Sequence, residues 1–219
     1  VPWAAGGDTD NIFRPFAVEL QKHVGQPVVI ADYADNPGGG GYGDTTGLLR
    51  AMIDAKLENA AFAALYDPEC AAACHKAGLG ATLALALGGK VDPAFGNPVD
   101  VTAKVTALSD GKMILEGPMM RGVPLDMGPT AAVAVGGVTV VLGSRRFQNY
   151  DRMFFKVAGI DPATKSVLAV KSSQHFRAAY APLASEIVVV DEGGGIMSTN
   201  FAALPYKHAR RPIYPLDFW

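Results

Sequence analysis

Two spacings of apolar residues divide this chain. Short apolar runs occur at residues 27–32 (PVVIAD), 59–66 (NAAFAALY), 81–87 (ATLALAL), 166–171 (SVLAVK) and 186–190 (EIVVV). Short apolar runs of that length predict buried strands. Helical spacing intervenes between the first three. Leu48, Leu49, Met52 and Ile53 form one stripe over residues 45–56. Asp67-Pro68-Glu69 then supplies a capping side chain, a proline at the first helical position and an acid in the first turn of a helix that stops at Gly78. This strand–helix–strand–helix–strand order predicts a parallel layer with right-handed crossovers.

The rhythm changes in the second half. Residues 99–108 and 112–115 flank Ser109-Asp110-Gly111, and residues 131–135 and 138–142 flank Gly136-Gly137. Both are hairpin signals and predict antiparallel strands. Asp151 is placed to cap a short helix carrying Met153, Phe154 and Val157, a helix over residues 176–184 precedes the last strand, and the proline-rich residues 205–219 are expected to run over the surface. Upstream, Phe13, Phe16, Ala17, Leu20 and Val24 recur at helical spacing as far as Gly25, with Pro15 delaying or kinking that helix. The expected fold is α/β: a mixed sheet with a parallel βαβαβ N-terminal part, antiparallel hairpins in the C-terminal half and helices on the faces, in a single domain of residues 1–219.

Composition narrows the partners more than the fold. With 219 residues, 49% hydrophobic and 18% charged, the chain has material for a substantial core and lacks the composition of a disordered segment. A net charge of -2 calls for neither nucleic acid nor an anionic membrane as partner. The longest apolar run, residues 131–143, is shorter than the roughly 20 residues a membrane-spanning helix needs. Cys70 and Cys74 lie four apart in a predicted helix, where a disulfide would staple little, so they read as two free thiols of a reducing compartment. Val1 begins without a charged segment and apolar run of the signal-peptide kind, so the start reads as cropped or processed and a cytoplasmic location is expected. Oligomeric state is not legible.

The candidate chemistry sits in the loop 35–44, DNPGGGGYGD, between a predicted strand and a predicted helix. Gly38, Gly39, Gly40 and Gly41 can bring backbone N–H groups close to a ligand, and a helix N-terminus favours anions. The loop lacks GxxxxGK[ST], and although Gly38, Gly40 and Gly43 fall at GxGxxG spacing they do so within a run of glycines, so no specific nucleotide fingerprint is read from it. Its two aspartates admit two readings each: Asp35 and Asp44 can orient water, a ligand amine or metal-bound water, or Asp44 can cap the following helix while Asp35 makes an Asx turn. A second candidate is residues 171–177, KSSQHFR, where a strand end meets a helix start. Gln174, His175 and Arg177 at such an edge would meet the glycine loop; alternatively Ser172 or Ser173 caps the helix and His175 is an ordinary half-buried residue. His23, His75 and His208 are scattered, and HExxH, HxH and DxH are all absent, so no zinc site is expected within this chain; GxSxG is absent as well.

From about residue 27 onward the chain resembles the C-terminal domain of the microcystinase C-like metallopeptidase family. The resemblance is carried by ADNPGGGGYGDTT (34–46), DPE (67–69), LGGKVDPAFGNPV (87–99), EGPMMRG (116–122), MGPTAAV (127–133), GIDPATKSVLAVKSSQHFRAAYAPLASEIVVVD (159–191) and RPIYPLD (211–217). It implies hydrolysis of small or linear peptides with zinc, whose ligands in that family belong to a larger N-terminal domain. It further implies that Asp35, Asp44 and Gln174 support catalysis and that Gly38–Gly41, His175 and Arg177 face a peptide substrate, with no zinc bound by this chain alone. Residues 1–30, in contrast, resemble the start of periplasmic receptors of tripartite tricarboxylate transporters. There an AAGG-x-TD loop helps hold a ligand carboxylate. The chain thus reads as a join of two families across residues 26–41. An alternative function is a non-enzymatic binder that grips a small carboxylate with residues 4–10 and the Gly38–Gly41 loop, or an inactive scaffold.

Overall fold

The computed structural model describes residues 25–191, 196–197 and 201–217. The helix expected before Gly25 and the loop at residues 4–10 lie outside the described residues.

Among the described residues ten strands and four α-helices follow in chain order: β1 (Val28–Asp32), α1 (Gly47–Asp54), β2 (Ala60–Tyr66), α2 (Pro68–Ala77), β3 (Thr82–Leu87), β4 (Val99–Ser109), β5 (Lys112–Ile114), β6 (Pro124–Asp126), β7 (Thr130–Val135), β8 (Val138–Gly143), α3 (Met153–Lys156), β9 (Val167–Lys171), α4 (Arg177–Tyr180) and β10 (Glu186–Val190). Eight strands make one sheet in the order β10-β1-β9-β2-β8-β7-β4-β3. The five from β10 to β8 run parallel, and the pairings from β8 to β3 are antiparallel. The mixed α/β sheet expected from the sequence is therefore present, with two refinements. β3 does not extend the parallel layer: it pairs antiparallel with residues 99–104 of β4, at the far edge. Nor do β4 and β5 pair across Asp110-Gly111. β4 turns to β7, with a bulge between Val105 and Ala107, while β5 and β6 form a separate two-stranded sheet. The hairpin at Gly136-Gly137 is as expected.

The apolar runs are continuous because both faces are covered. Val28 and Ile30 join Leu48, Leu49, Met52, Cys70 and Cys74 in one core layer, whereas Val29 and Ala31 join Phe154, Phe155, Ala179 and Tyr180 in the other. Thus α1 and α2 lie on one face and α3 and α4 on the opposite face. α4 is four residues rather than the expected nine-residue helix, since Pro182 has no N–H to continue it.

That layering positions the site. From β1 the chain passes over one face through α1 to β2, and from its neighbour β9 over the other face through α4 to β10. Adjacent parallel strands whose connections diverge in this way leave a crevice beyond their C-terminal ends, which is where open α/β sheets hold ligands.

Candidate functional site at the ends of β1 and β9

Asp32 and Lys171 are the last residues of β1 and β9, and the parallel register sets them opposite each other. Lys171 Nζ lies 2.7 Å from Asp32 Oδ2 and 2.9 Å from Asp35 Oδ2, and donates to Thr45 Oγ1 at 3.0 Å. All three charged side chains are fully buried, and the ammonium also sits 5.6 Å from the ring centre of Phe62. Burying an ammonium in a core of this kind is tolerable only with such partners. The two carboxylates respond differently. Burial raises the pKa of Asp32 above the ordinary value, outweighing the pull of Lys171, and Asp35 adds to the rise. Burial acts on Asp35 in the same sense, but the charge and hydrogen bond of Lys171 and the N–H groups of Gly43 and Thr45 hold it below the ordinary value.

Asp35 is the clasp of the glycine loop. Its Oδ1 accepts from Gly43 N (2.7 Å) and its Oδ2 from Thr45 N (2.8 Å). The Asx turn belongs to the next residue instead: Asn36 Oδ1 accepts from Gly38 N. Gly39 N and Gly41 N donate to Asn36 O, and Gly40 N to Pro37 O. The N–H groups of all four glycines are thus engaged within the loop, and the anion cradle expected of them has no free donors. What requires glycine here is close packing. A Cβ on Gly38 would stand 2.0 Å from Gln148 Oε1, and one on Gly41 2.7 Å from the carbonyl carbon of Asp35.

Asp44 does not cap α1. Thr46 occupies the N-cap position, without a side-chain bond to the helix. Asp44 Oδ2 instead accepts from Lys90 N (2.8 Å) and Val91 N (2.9 Å), and its carbonyl accepts from Gly89 N. It thereby anchors the loop after β3, beside Asp67, which caps α2, accepts from Gly88 N and pairs with Lys90 at 2.8 Å. Asp44, Tyr66, Asp67, Pro68, Glu69, Lys90 and Val91 line a hollow of about 190 Å³.

The segment after β9 does meet the glycine loop. Asn36 Nδ2 donates to Ser173 Oγ at 2.8 Å, and Gln148 Nε2 to Ser172 Oγ at 2.9 Å. Neither serine caps α4, which begins after Phe176 with no side-chain cap. His175 is exposed, with Nδ1 3.2 Å from Gln148 Oε1, and exposed Gln174 accepts from Arg177 Nε at 3.0 Å. The structure therefore joins the glycine loop to residues 172–175 through Asn36 and Gln148, whereas Asp44 turns to the loop after β3 and Gln174 and Arg177 bond each other. It places the two aspartates beneath the surface and Gln174, His175 and Arg177 upon it.

Four participants escaped the sequence reading: Lys171 as an ion-pair centre, Asn36, Gln148 and Arg146. The first had a signal, since an acid ends one apolar run (PVVIAD) and a base ends another (SVLAVK). Arg146 had none. Its guanidinium carbon lies 5.4 Å from the ring centre of Tyr42 and 5.0 Å from that of Tyr66, and a Cβ on Gly43 would meet its Cγ at 3.6 Å.

These residues do not fit a zinc ion. Among the described residues no group of three or more His, Cys, Asp or Glu side chains could hold a metal. Both oxygens of Asp35 are already taken by N–H groups and Lys171. No chemical step through a metal follows from this cluster. Cys70 and Cys74 are free and buried, and burial together with Asp67 pushes the Cys70 thiol up to about 12, which makes it a poor ligand and nucleophile. No helix among the described residues is long and apolar enough to cross a membrane.

Comparison with known proteins agrees with this picture. The model of the family described as MlrC C-terminus matches residues 30–208. Microcystinase C from a Sphingomonas species is 32% identical over 208 residues, covering 93% of this chain and 39% of its own length. A crystal structure from Mesorhizobium sp. BNC1, provisionally described as a metallopeptidase, superposes with a TM-score of 0.79 at 25% identity, covering 94% of this chain and 41% of its own. The chain spans about two fifths of either relative.

Proposed function

The chain belongs to the MlrC C-terminus family, and from that premise we propose that it forms the substrate-facing wall of a metal-dependent peptidase acting on small or linear peptides. The observation that supports this reading is the convergence of the glycine loop and residues 172–177 on the ends of β1 and β9, with Gln174 and His175 presented outward. Zinc would be carried by the part of the relatives that this chain does not span. The division of labour follows from burial. Asp35 and Asp44 position loops: one ties Gly43 and Thr45 to the Lys171 centre, the other ties Lys90 and Val91 to the same edge. Gln174, His175 and Arg177 touch the peptide. A buried, doubly engaged carboxylate such as Asp35 is poorly placed to take a proton from water, so its loss would act through geometry.

The test is a segment exchange. With this chain in place of the matching segment of Microcystinase C, hydrolysis of a linear peptide is expected to continue. Gln174→Ala and His175→Ala are then each expected to lower kcat/KM by roughly 10- to 100-fold, the size of effect that misplaced or lost orienting groups produce. Unchanged kcat/KM in both variants would sink the reading.

A further inference from the structure

We infer that Arg146 is an anion receptor at the rim of the glycine loop, built to take a carboxylate of a peptide ligand. The inference adds a recognition element to the peptidase reading, and its carboxylate-binding part stands without that reading.

Three observations carry it. First, the two lysines beside the loop are neutralised. Lys171 is buried between Asp32 and Asp35, and Lys90 is paired with Asp67 and Glu69. Arg146 is exposed, and among the described residues it makes neither an ion pair nor a hydrogen bond.

Second, it is held in place without a carboxylate. The guanidinium lies over two aromatic faces at once, Tyr42 of the loop and Tyr66 at the end of β2. Tyr42 is itself braced edge-on by Phe95 at 5.9 Å. The backbone beneath is fixed too. Gly43, at φ +76°, lies beside the Arg146 stem, where a Cβ would meet Arg146 Cγ at 3.6 Å, accepts from Tyr66 N and donates to Asp35. Stacking on aromatic rings occupies the flat faces of a guanidinium and leaves its N–H edge directed outward, which is the edge that grips a carboxylate with two parallel bonds. An arginine already held still loses less freedom on binding.

Third, the Gly38–Gly41 N–H groups offer no free anion donor of their own. Anion binding by a glycine-rich loop ordinarily uses its N–H groups, and here those of Gly38 to Gly41 are spent on Asn36 and Pro37. Arg146 supplies the positive charge at the same rim.

The experiment titrates the 219-residue chain with N-acetylphenylalanine and with its amide, following backbone and arginine side-chain N–H signals by NMR. The carboxylate is expected to move the Arg146 Nε–H and the amides of Tyr42 and Gly43, and the amide compound is expected to leave them still. Arg146→Gln should weaken the carboxylate response by about tenfold or more. Arg146→Lys should restore it only in part, because an ammonium has no fork, and Tyr42→Leu should weaken it with the charge intact. Native-like signal dispersion in these variants shows that they fold. An equal response to the amide compound, shifts centred elsewhere, no response at all, or wild-type binding by Arg146→Gln would each overturn the inference. An equal response to inorganic phosphate would overturn the carboxylate preference. The two readings fail separately. A segment exchange without hydrolysis leaves the Arg146 titration intact, whereas hydrolysis in the exchange with an unresponsive Arg146 removes the receptor alone.

Discussion

At the scale of single residues, the arrangement is decided by one buried lysine and the unequal carboxylates around it. Lys171 with Asp32 and Asp35 is a fully desolvated centre, and removing one member leaves charge without compensation. Lys171→Met is therefore expected to cost about 3–5 kcal/mol, read as a lower urea midpoint, because two carboxylates would stay buried with no cation. The two aspartates are not equivalent. Asp35 has its pKa lowered by folding, so its contribution to stability is fully present above the ordinary value of 3.8 and is lost as pH falls through the still lower folded value. Asp32 has its pKa raised, so its ionised form weighs against the folded state at neutral pH and the penalty fades on acidification. Asp35→Asn should consequently cost more stability than Asp32→Asn at pH 7, and the gap should narrow as pH drops toward and below 3.8. Equal costs at pH 7 in urea titrations would contradict this assignment of roles.

At the scale of elements, the glycine loop behaves as a folded plug: its N–H groups are internally bonded, and three of its glycines, Gly38, Gly39 and Gly41, sit where a Cβ would collide. Gly41→Ala places a methyl against the Asp35 backbone carbon, which cannot swing away as a flexible side-chain tip can. It is expected to destabilise the chain by about 1–3 kcal/mol and to shift the NMR signals of Asp35, Gly43 and Thr45 together. Here the reach of the sequence is visible. The apolar runs announced β1, β2 and β9 because those strands are buried on both faces. Asp67-Pro68-Glu69 announced α2 because capping is local chemistry. Where the glycine N–H groups point was not legible, since their acceptors are the loop's own carbonyls and the Asn36 side chain, and nothing in a glycine run distinguishes inward from outward N–H groups. The capping alternative for Asp44 does not hold, for a related reason: its partners Lys90 and Val91 are some 46 residues away. β4 and β5 flank a good turn yet pair elsewhere, because β7 offers residues 104–109 a longer apolar partner than the three residues of β5.

At the scale of the whole molecule, the order in which the sheet is sewn together dictates how it can be cut. β1 is made by residues 28–32, but its two neighbours are β9 and β10, which arrive more than 130 residues later. β9 is also the strand that separates β1 from β2, so these two consecutive strands do not pair directly. The consequence is that the N-terminal βα unit has no sheet to join until the C-terminal part is present. Its buried aspartates likewise have no cation until Lys171 arrives. A chain ending at residue 161 would retain β2, β8, β7, β4 and β3 with their helices. It would, however, expose one face-to-face edge of β2 along residues 60–63 and strand β1 alone. Unpaired backbone groups on a long apolar edge are both unstable and association-prone. Such a truncation is expected to lose the cooperative thermal transition of the full chain, measured by circular dichroism, and to associate at concentrations where the full chain stays dispersed. A sharp transition with unchanged far-ultraviolet intensity in the truncated chain would show instead that the antiparallel half folds alone, and that the site at β1 and β9 is an addition to it.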